Sequence, residues 1–171
     1  MGYGHSRAAY ALRDLSGGVV LSANDYKGIP AKDRDLWNRS RKTYELISRL
    51  KPLPIVGDFL FDLMDRWQNV PDFYPRRDLS RPNLQVRQIF HLIERGWGKH
   101  FVAQLAKDPK PFVTTFFIPA FFADYFDYPG DIWCVTTDAD ISRSWVPLDP
   151  QRSRIKYFAS NGRVAERLKL Y

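Results

Sequence analysis

The first residues that could do chemistry form a glycine-bearing turn near the amino terminus. Gly2 and Gly4 flank Tyr3, and His5 follows directly before a run rich in helix formers. Glycines let a backbone turn tightly and approach a ligand closely, and free N–H groups at a helix start favour an anion. Imidazole has a reference pKa of about 6.5, which suits His5 to accepting a proton from a hydroxyl group. The alternative is an incidental histidine in an N-terminal tail.

A second candidate group is the acidic loop that follows an apolar run over 132–137. Asp138 and Asp140 come directly after this run. Open α/β sheets bind ligands at the carboxyl ends of their strands, so Asp138 could lie in a ligand site. The alternative is that both aspartates only cap a turn.

Other familiar chemistry is missing from the sequence. No Cys, His or acidic cluster has metal-ligand spacing, and neither a Walker A loop nor a Gly-x-Ser-x-Gly elbow occurs. We therefore predict no metal and no cofactor. His91 and His100 are nine positions apart and do not share a helix face, so we interpret them as packing or surface residues. Cys134 lies in an apolar run, which predicts an inert thiol.

Hydrophobic spacing predicts the elements that must position these residues. The predicted helices cover 6–15, 32–50, 55–67, 85–107, 119–126 and 161–170, and the predicted strands cover 19–21, 112–117, 132–136 and 154–158. Gly96 and Gly98 mark a weak point in the fourth helix, and the strands in the second half are predicted to be buried on both faces. Strands alternating with helices predict an α/β fold with a parallel sheet.

Composition narrows the class of protein. The chain has 171 residues, 44% of them apolar and 15% aromatic, and one cysteine. This excludes a disordered tail and a disulfide scaffold, and it favours a single domain. No window is apolar enough for a membrane span, and the first residues lack the basic-then-apolar pattern of a signal peptide. With a single cysteine, this leads us to expect a reducing, cytoplasmic location.

The charge of +7 is concentrated in two segments. Residues 27–51 and 151–171 each carry a net +5. Local basic segments suggest an anionic partner, either nucleic acid or an anionic membrane surface. A solvated basic surface without a partner is an equally good interpretation.

The predicted helix over 55–67 adjoins the first basic segment. Its apolar face includes Phe59, Leu63 and Trp67, and the basic segment contains Arg41 and Lys42. An apolar face beside a polybasic run is typical of peripheral docking on anionic lipid. Packing of the same face into a protein core is the commoner alternative.

Three separated stretches together resemble a known enzyme family. They are residues 1–9 with the Gly-x-Gly-His turn, Thr136-Thr137-Asp138 followed by Trp145, and the strand and helix over 157–168. In this order they resemble the N-terminal half of the monogalactosyldiacylglycerol synthase and MurG-like glycosyltransferases, the lipid-acceptor branch of the GT-B fold. The chain departs from the family pattern at Ser142, where the family has His, and at 116–117, where two phenylalanines replace His-Pro.

The resemblance implies a fold and a function. The fold would be a Rossmann-like parallel sheet with flanking helices, the acceptor-binding half of an inverting enzyme that uses a nucleotide sugar and a lipid acceptor. His5 would be the base or an acceptor contact, with Asp138 as its partner or as the base itself. Acceptor contacts would come from Gly2, Gly4, Ser142 and Trp145.

The resemblance also implies a domain organisation. We expect residues 1–171 to be one acceptor domain cut from a longer protein, with its first strand missing and with a helical, basic insertion over 27–108. Such a piece alone would not turn over a sugar nucleotide. It would sit peripherally on the inner face of a membrane. The rival hypothesis is a non-catalytic basic α/β module that binds nucleic acid or a nucleotide; nucleic acid is disfavoured because the aromatic residues have core-like spacing.

Overall fold

The structure is a computed structural model that describes residues 3–50, 70–72 and 78–171. Within these residues the chain is an α/β protein with six α-helices and three strands. The helices are α1 (Tyr3–Ala11), α2 (Ala31–Leu50), α3 (Leu84–Glu94), α4 (Lys99–Leu105), α5 (Phe117–Tyr125) and α6 (Gly162–Leu170). The strands are β1 (Phe112–Thr114), β2 (Ile132–Val135) and β3 (Ile155–Phe158).

The three strands form a parallel open sheet in the order β1-β2-β3. Phe112 lies beside Ile132, which lies beside Ile155, so the three strands begin in register, and β1 ends one position before β2 and β3. Helix α5 connects β1 to β2, and a long loop with a short 3-10 helix (Arg143–Trp145) connects β2 to β3. The predicted parallel α/β sheet is confirmed.

One face of the sheet carries the core. Helix α5 is almost entirely apolar, and its residues 117–123 are buried. It packs on the sheet face that presents Ile132, Cys134 and Ile155, all buried. Burying one face of a sheet under an apolar helix is the main source of stability in such a layer.

The opposite face of the sheet is much more open. Val113 is 48% exposed and Phe158 is 52% exposed, so the prediction of strands buried on both faces is wrong. The connections from β1 to β2 and from β2 to β3 run in the same direction along the sheet. Right-handed connections of this kind cover the same face of a sheet, which leaves the other face open. Trp133 stacks on Phe158 at 4.9 Å, and the Lys156 ammonium lies 4.8 Å from the centre of the Trp133 ring.

The predicted helix over 85–107 is broken where the glycines indicated. Helix α3 ends at Glu94 and α4 begins at Lys99. Gly98 has a φ of +84°, and a Cβ there would lie 2.3 Å from the ring of Phe122. Only glycine tolerates both this backbone conformation and this close approach.

Two local predictions need correction. Residues 19–21 form no strand; only an isolated bridge joins Ser22 to Asp25, and Val19 and Leu21 are exposed. Helix α5 begins at Phe117, two residues before Pro119. The first turn of a helix has no intrahelical partner for its N–H groups, so a proline is tolerated throughout that turn.

The described helices of the 27–108 region share the core of the sheet. Trp37 on α2 packs edge-to-face on Trp97 at 4.9 Å and on Phe122 of α5 at 6.1 Å. The predicted helix over 55–67, with Phe59, Leu63 and Trp67, lies outside the described residues. In the parts of the chain that the structure describes, no helix combines the length and apolarity needed to cross a bilayer.

Candidate functional site

His5 lies at the carboxyl edge of the sheet, in the first turn of α1. Its Nδ1 is 2.9 Å from the carbonyl oxygen of Thr115, just after β1, and 2.8 Å from Oγ1 of Thr137, just after β2. The Thr115 hydroxyl in turn donates to the His5 carbonyl oxygen at 2.8 Å. The ends of two neighbouring strands therefore hold both the ring and the backbone of one histidine.

Aromatic rings surround the same imidazole. The Phe116 ring is 4.8 Å from the His5 ring, and the Trp145 ring is 6.1 Å away. Phe116 lies two residues after the end of β1, and Thr114 Oγ1 accepts a hydrogen bond from its N–H and donates one to its carbonyl oxygen. The wall beside the histidine is therefore apolar and its backbone is pinned.

The second nitrogen of His5 is available. Nε2 has no hydrogen-bond partner among the described residues, and it is not among the buried unpaired side-chain atoms. It is therefore open to solvent. A partly buried imidazole with one nitrogen bound by the protein and the other open can take up a proton from a ligand.

The predicted glycine turn differs from the structure. Gly4 already lies inside α1, its φ is not positive, and a Cβ placed on it would meet nothing within 4 Å. The structure therefore has no tight turn at Gly4, and the backbone of Gly4 does not approach other described atoms closely. Gly2 lies outside the described residues.

Asp138 is exposed at the same edge of the sheet but stands apart from the histidine. Its carbonyl oxygen accepts a hydrogen bond from Ser160 at 2.7 Å. Among the described residues, no hydrogen bond joins its carboxylate to His5; the side chain that takes the expected position is its neighbour Thr137. The sequence did carry a signal for this contact, because the pairs 114–115 and 136–137 put two threonines at the end of each strand.

Ser142 caps a buried 3-10 helix (Arg143–Trp145), and Trp145 is its last residue. The Ser142 hydroxyl is paired with that of Ser144, and the Trp145 carbonyl accepts from Tyr157 at 2.8 Å. The Ser142 hydroxyl is thus engaged within the protein, whereas the Trp145 ring reaches the His5 site.

A buried ion pair fixes α6 to this edge. Asp140 accepts hydrogen bonds from Arg167 at 2.8 Å and from Arg163 at 2.7 Å. Burial opposes ionisation of Asp140, but the hydrogen bonds from the two arginines outweigh it and lower its pKa to about 2. Arg167, which is fully buried, also donates to the carbonyl oxygen of Pro71 at 2.6 Å.

The edge has a second buried cation, Arg143. It donates to the carbonyl oxygens of Val146, Pro147 and Ser80. Burial lowers its pKa from the ordinary value of arginine. This side chain locks the loop after β2 against the segment that leads to α3.

The remaining predicted site residues lie on α2. Arg41 and Lys42 are exposed there. No group of three or more His, Cys, Asp or Glu side chains that could share a metal ion occurs within 3–50, 70–72 and 78–171.

Comparison of the chain with protein-family models, with curated proteins and with solved structures found no match.

Proposed function

We propose that the chain is the acceptor-binding domain of an inverting glycosyltransferase that uses a nucleotide sugar and a lipid-type acceptor at a membrane surface. The observation that carries the proposal is the contact between His5 and the segment after β2. His5 Nδ1 and Thr137 Oγ1 are 2.8 Å apart although they are 132 positions apart in sequence. Two of the stretches that carry the family resemblance thus meet in space, at the edge where open α/β sheets bind ligands.

The geometry suits deprotonation of an acceptor hydroxyl. Nε2 of His5 takes the hydroxyl proton as the acceptor oxygen bonds to the anomeric carbon of the sugar. The bond from that carbon to the nucleotide diphosphate breaks at the same time, and the diphosphate leaves with the electron pair. In the family that the chain resembles, a second domain grips the nucleotide sugar, so this domain's part is to present the acceptor.

The basic helix α2 supports a membrane surface as the place of reaction. The ring centre of Trp37 on α2 lies 6.4 Å from that of Phe116, and the ring centre of Phe116 lies 4.8 Å from that of His5. Beyond Trp37 the helix exposes Arg41 and Lys42. A cation near an anionic leaflet contributes about 1 kcal/mol of binding. The proposed location is therefore peripheral, on the cytoplasmic face, where anionic lipids lie.

Vesicle co-sedimentation tests the proposal with three compositions: phosphatidylcholine alone, with phosphatidylglycerol, and with phosphatidylglycerol plus diacylglycerol. We expect little binding to the first, salt-sensitive binding to the second and tighter binding to the third. The double change Arg41→Glu and Lys42→Glu should weaken binding to anionic vesicles about tenfold or more.

The acceptor contact is tested separately with a matched pair of histidine variants. His5→Gln should remove the gain from diacylglycerol and keep the binding to anionic lipid, whereas His91→Gln, at an exposed position of α3, should keep both. Steeply salt-dependent binding to RNA with none to vesicles would sink the proposal and favour a nucleic-acid module instead.

A further inference from the structure

The Nδ1 contacts of His5 determine where its proton sits. A backbone carbonyl oxygen only accepts hydrogen bonds, and the Thr115 carbonyl oxygen lies 2.9 Å from Nδ1. Nδ1 must therefore carry the hydrogen. In a neutral imidazole the other nitrogen, Nε2, then holds the lone pair.

Thr137 supplies the second point of attachment. With the hydrogen on Nδ1, Oγ1 of Thr137 at 2.8 Å acts as a second acceptor in a three-centre hydrogen bond. The carbonyl holds the ring from the end of β1 and the hydroxyl holds it from the end of β2. Two anchors on adjacent strands define the plane of the ring, which a single hydrogen bond would leave free to turn.

We infer that Thr137 is the positioning residue of His5, and that with the Thr115 carbonyl it holds the imidazole as the Nδ1–H tautomer with the Nε2 lone pair presented to the ligand. A neutral hydroxyl here does the orienting that a carboxylate does in many histidine bases. The use of the lone pair as a base rests on the proposed function. The tautomer itself is a property of this chain alone.

The surroundings of His5 support an orienter without charge. Among the residues that the structure describes, the groups with a hydrogen bond or ring contact to the imidazole are the Thr115 carbonyl, Phe116, Thr137 and Trp145, and none of them carries a charge. Two charged side chains follow Thr137 in the same loop. Asp138 is exposed to solvent, and the Arg143 guanidinium donates its hydrogen bonds to backbone carbonyl oxygens, including that of Val146. The orientation of the ring therefore depends on hydrogen bonds and packing.

Nitrogen-15 imidazole spectra of the whole chain test the inference, because the protonated and unprotonated ring nitrogens have distinct shifts. The chain has three histidines, and the spectrum of His5→Gln identifies the signals of His5. We expect the Nδ1–H form to dominate for His5 at neutral pH. Thr137→Val should shift the Nδ1 signal of His5 and leave the Nδ1–H form dominant, because the hydroxyl contact to Nδ1 is lost while the Thr115 carbonyl oxygen can still only accept.

Thr137→Ser keeps the hydroxyl and should restore the wild-type spectrum, and the signals of His100 serve as an internal standard. A wild-type ring protonated on Nε2 would overturn the inference, and so would a Thr137→Val spectrum identical to wild type. If Thr137→Val does not fold, the wild-type and Thr137→Ser spectra still decide the tautomer. Vesicle binding that fails while the tautomer holds would remove the proposed function and leave this inference standing.

Discussion

Two histidines in this molecule show how the surroundings of an imidazole determine whether one of its nitrogens stays available. His5 uses Nδ1 to hold on to two strand ends and leaves Nε2 open. His100 on α4 has both nitrogens engaged, Nδ1 with the Tyr26 hydroxyl at 3.0 Å and Nε2 with Gln104 at 3.2 Å. A histidine with both nitrogens satisfied within the protein has nothing left to offer a ligand.

The two regions also treat a carboxylate in opposite ways. Asp140, half-buried in the loop after β2, is stabilised in its charged form by Arg167 and Arg163. Asp33, near His100, is buried with one hydrogen bond, from the Gly98 N–H at 3.3 Å. Burial raises its pKa, and that hydrogen bond and the nearby His100 and Lys32 only partly oppose the shift. Charge is supported at the sheet edge and penalised in the helical region.

The largest expected effect comes from removing the charge at the sheet edge. Asp140→Asn should lower the free energy of unfolding at pH 7 by about 4 kcal/mol, because it removes the carboxylate that pairs with the fully buried Arg167. The folded pKa of about 2 lies below the unfolded value. The wild type should therefore lose this stability as the pH falls from about 4 towards 2, and the variant should not.

Urea unfolding over a pH series measures this difference. Asp149→Asn is the matched control, since Asp149 pairs with Arg152 on the surface and should change stability by less than about 0.5 kcal/mol. Equal losses for the two variants would contradict the contrast between buried and exposed carboxylates.

In the helical region the same kind of substitution should have the opposite sign. Asp33→Asn should raise the free energy of unfolding at neutral pH, because it removes a carboxylate whose ionisation burial opposes. With a folded pKa above the unfolded one, the wild type loses stability as the pH rises through the folded pKa. The amide oxygen of asparagine can still accept from Gly98.

Thermal unfolding between acid and neutral pH checks this sign. Asp35→Asn, at an exposed position of the same helix, should leave the curve unchanged. If Asp33→Asn is less stable than the wild type at every pH measured, the ionised carboxylate of Asp33 stabilises the fold, and the prediction is wrong.

The smallest expected effect is a difference in the rate at which a reagent modifies His5 and His100. The experiment requires no change in the fold and tests which imidazole nitrogen the reagent can reach. In a His91→Gln background, diethyl pyrocarbonate should modify His5 quickly and His100 slowly, because only His5 has an unengaged nitrogen. Mass spectrometry of early time points counts the fast site. Adding His5→Asn should abolish fast modification; rapid modification of His100 instead would reverse the comparison.

Periodicity and turn residues predicted much of the fold. The alternation of strands and helices after Pro109 predicted the parallel sheet, and Gly96 and Gly98 predicted the break between α3 and α4. The short apolar run over 19–21 was misleading, since three apolar residues bury too little surface to fix a strand unless a neighbour pairs with them. The exposure of Val113 and Phe158 was also mispredicted. It depends on which face of the sheet the β1–β2 and β2–β3 connections cover, and this is not encoded in the strands themselves.

The position of His5 at a helix start was predictable from the sequence, and its contacts were not. His5 could be chosen from its residue type and its place at a helix start, and the resemblance drew attention to the segment that contains Thr137. The identity of its partner depended on a register between α1 and two strand ends, which no local pattern encodes. Thr137, which contacts His5, and Asp138, which does not, are adjacent in the loop after β2. A register shift of one residue would therefore replace the hydroxyl partner by a carboxylate.

Local chemistry in the sequence determined the fold class, the positions of most helices and strands, and the presence of one histidine suited to proton transfer, because propensities and turn residues act over a few neighbours. The tertiary structure alone decided which nitrogen of His5 is bound, which aspartate keeps its charge and which arginine is buried with it. The contacts of His5 join residues more than a hundred positions apart, and the ion pair of Asp140 with Arg167 joins residues 27 positions apart. Packing of the whole chain brings both sets of residues within hydrogen-bond distance.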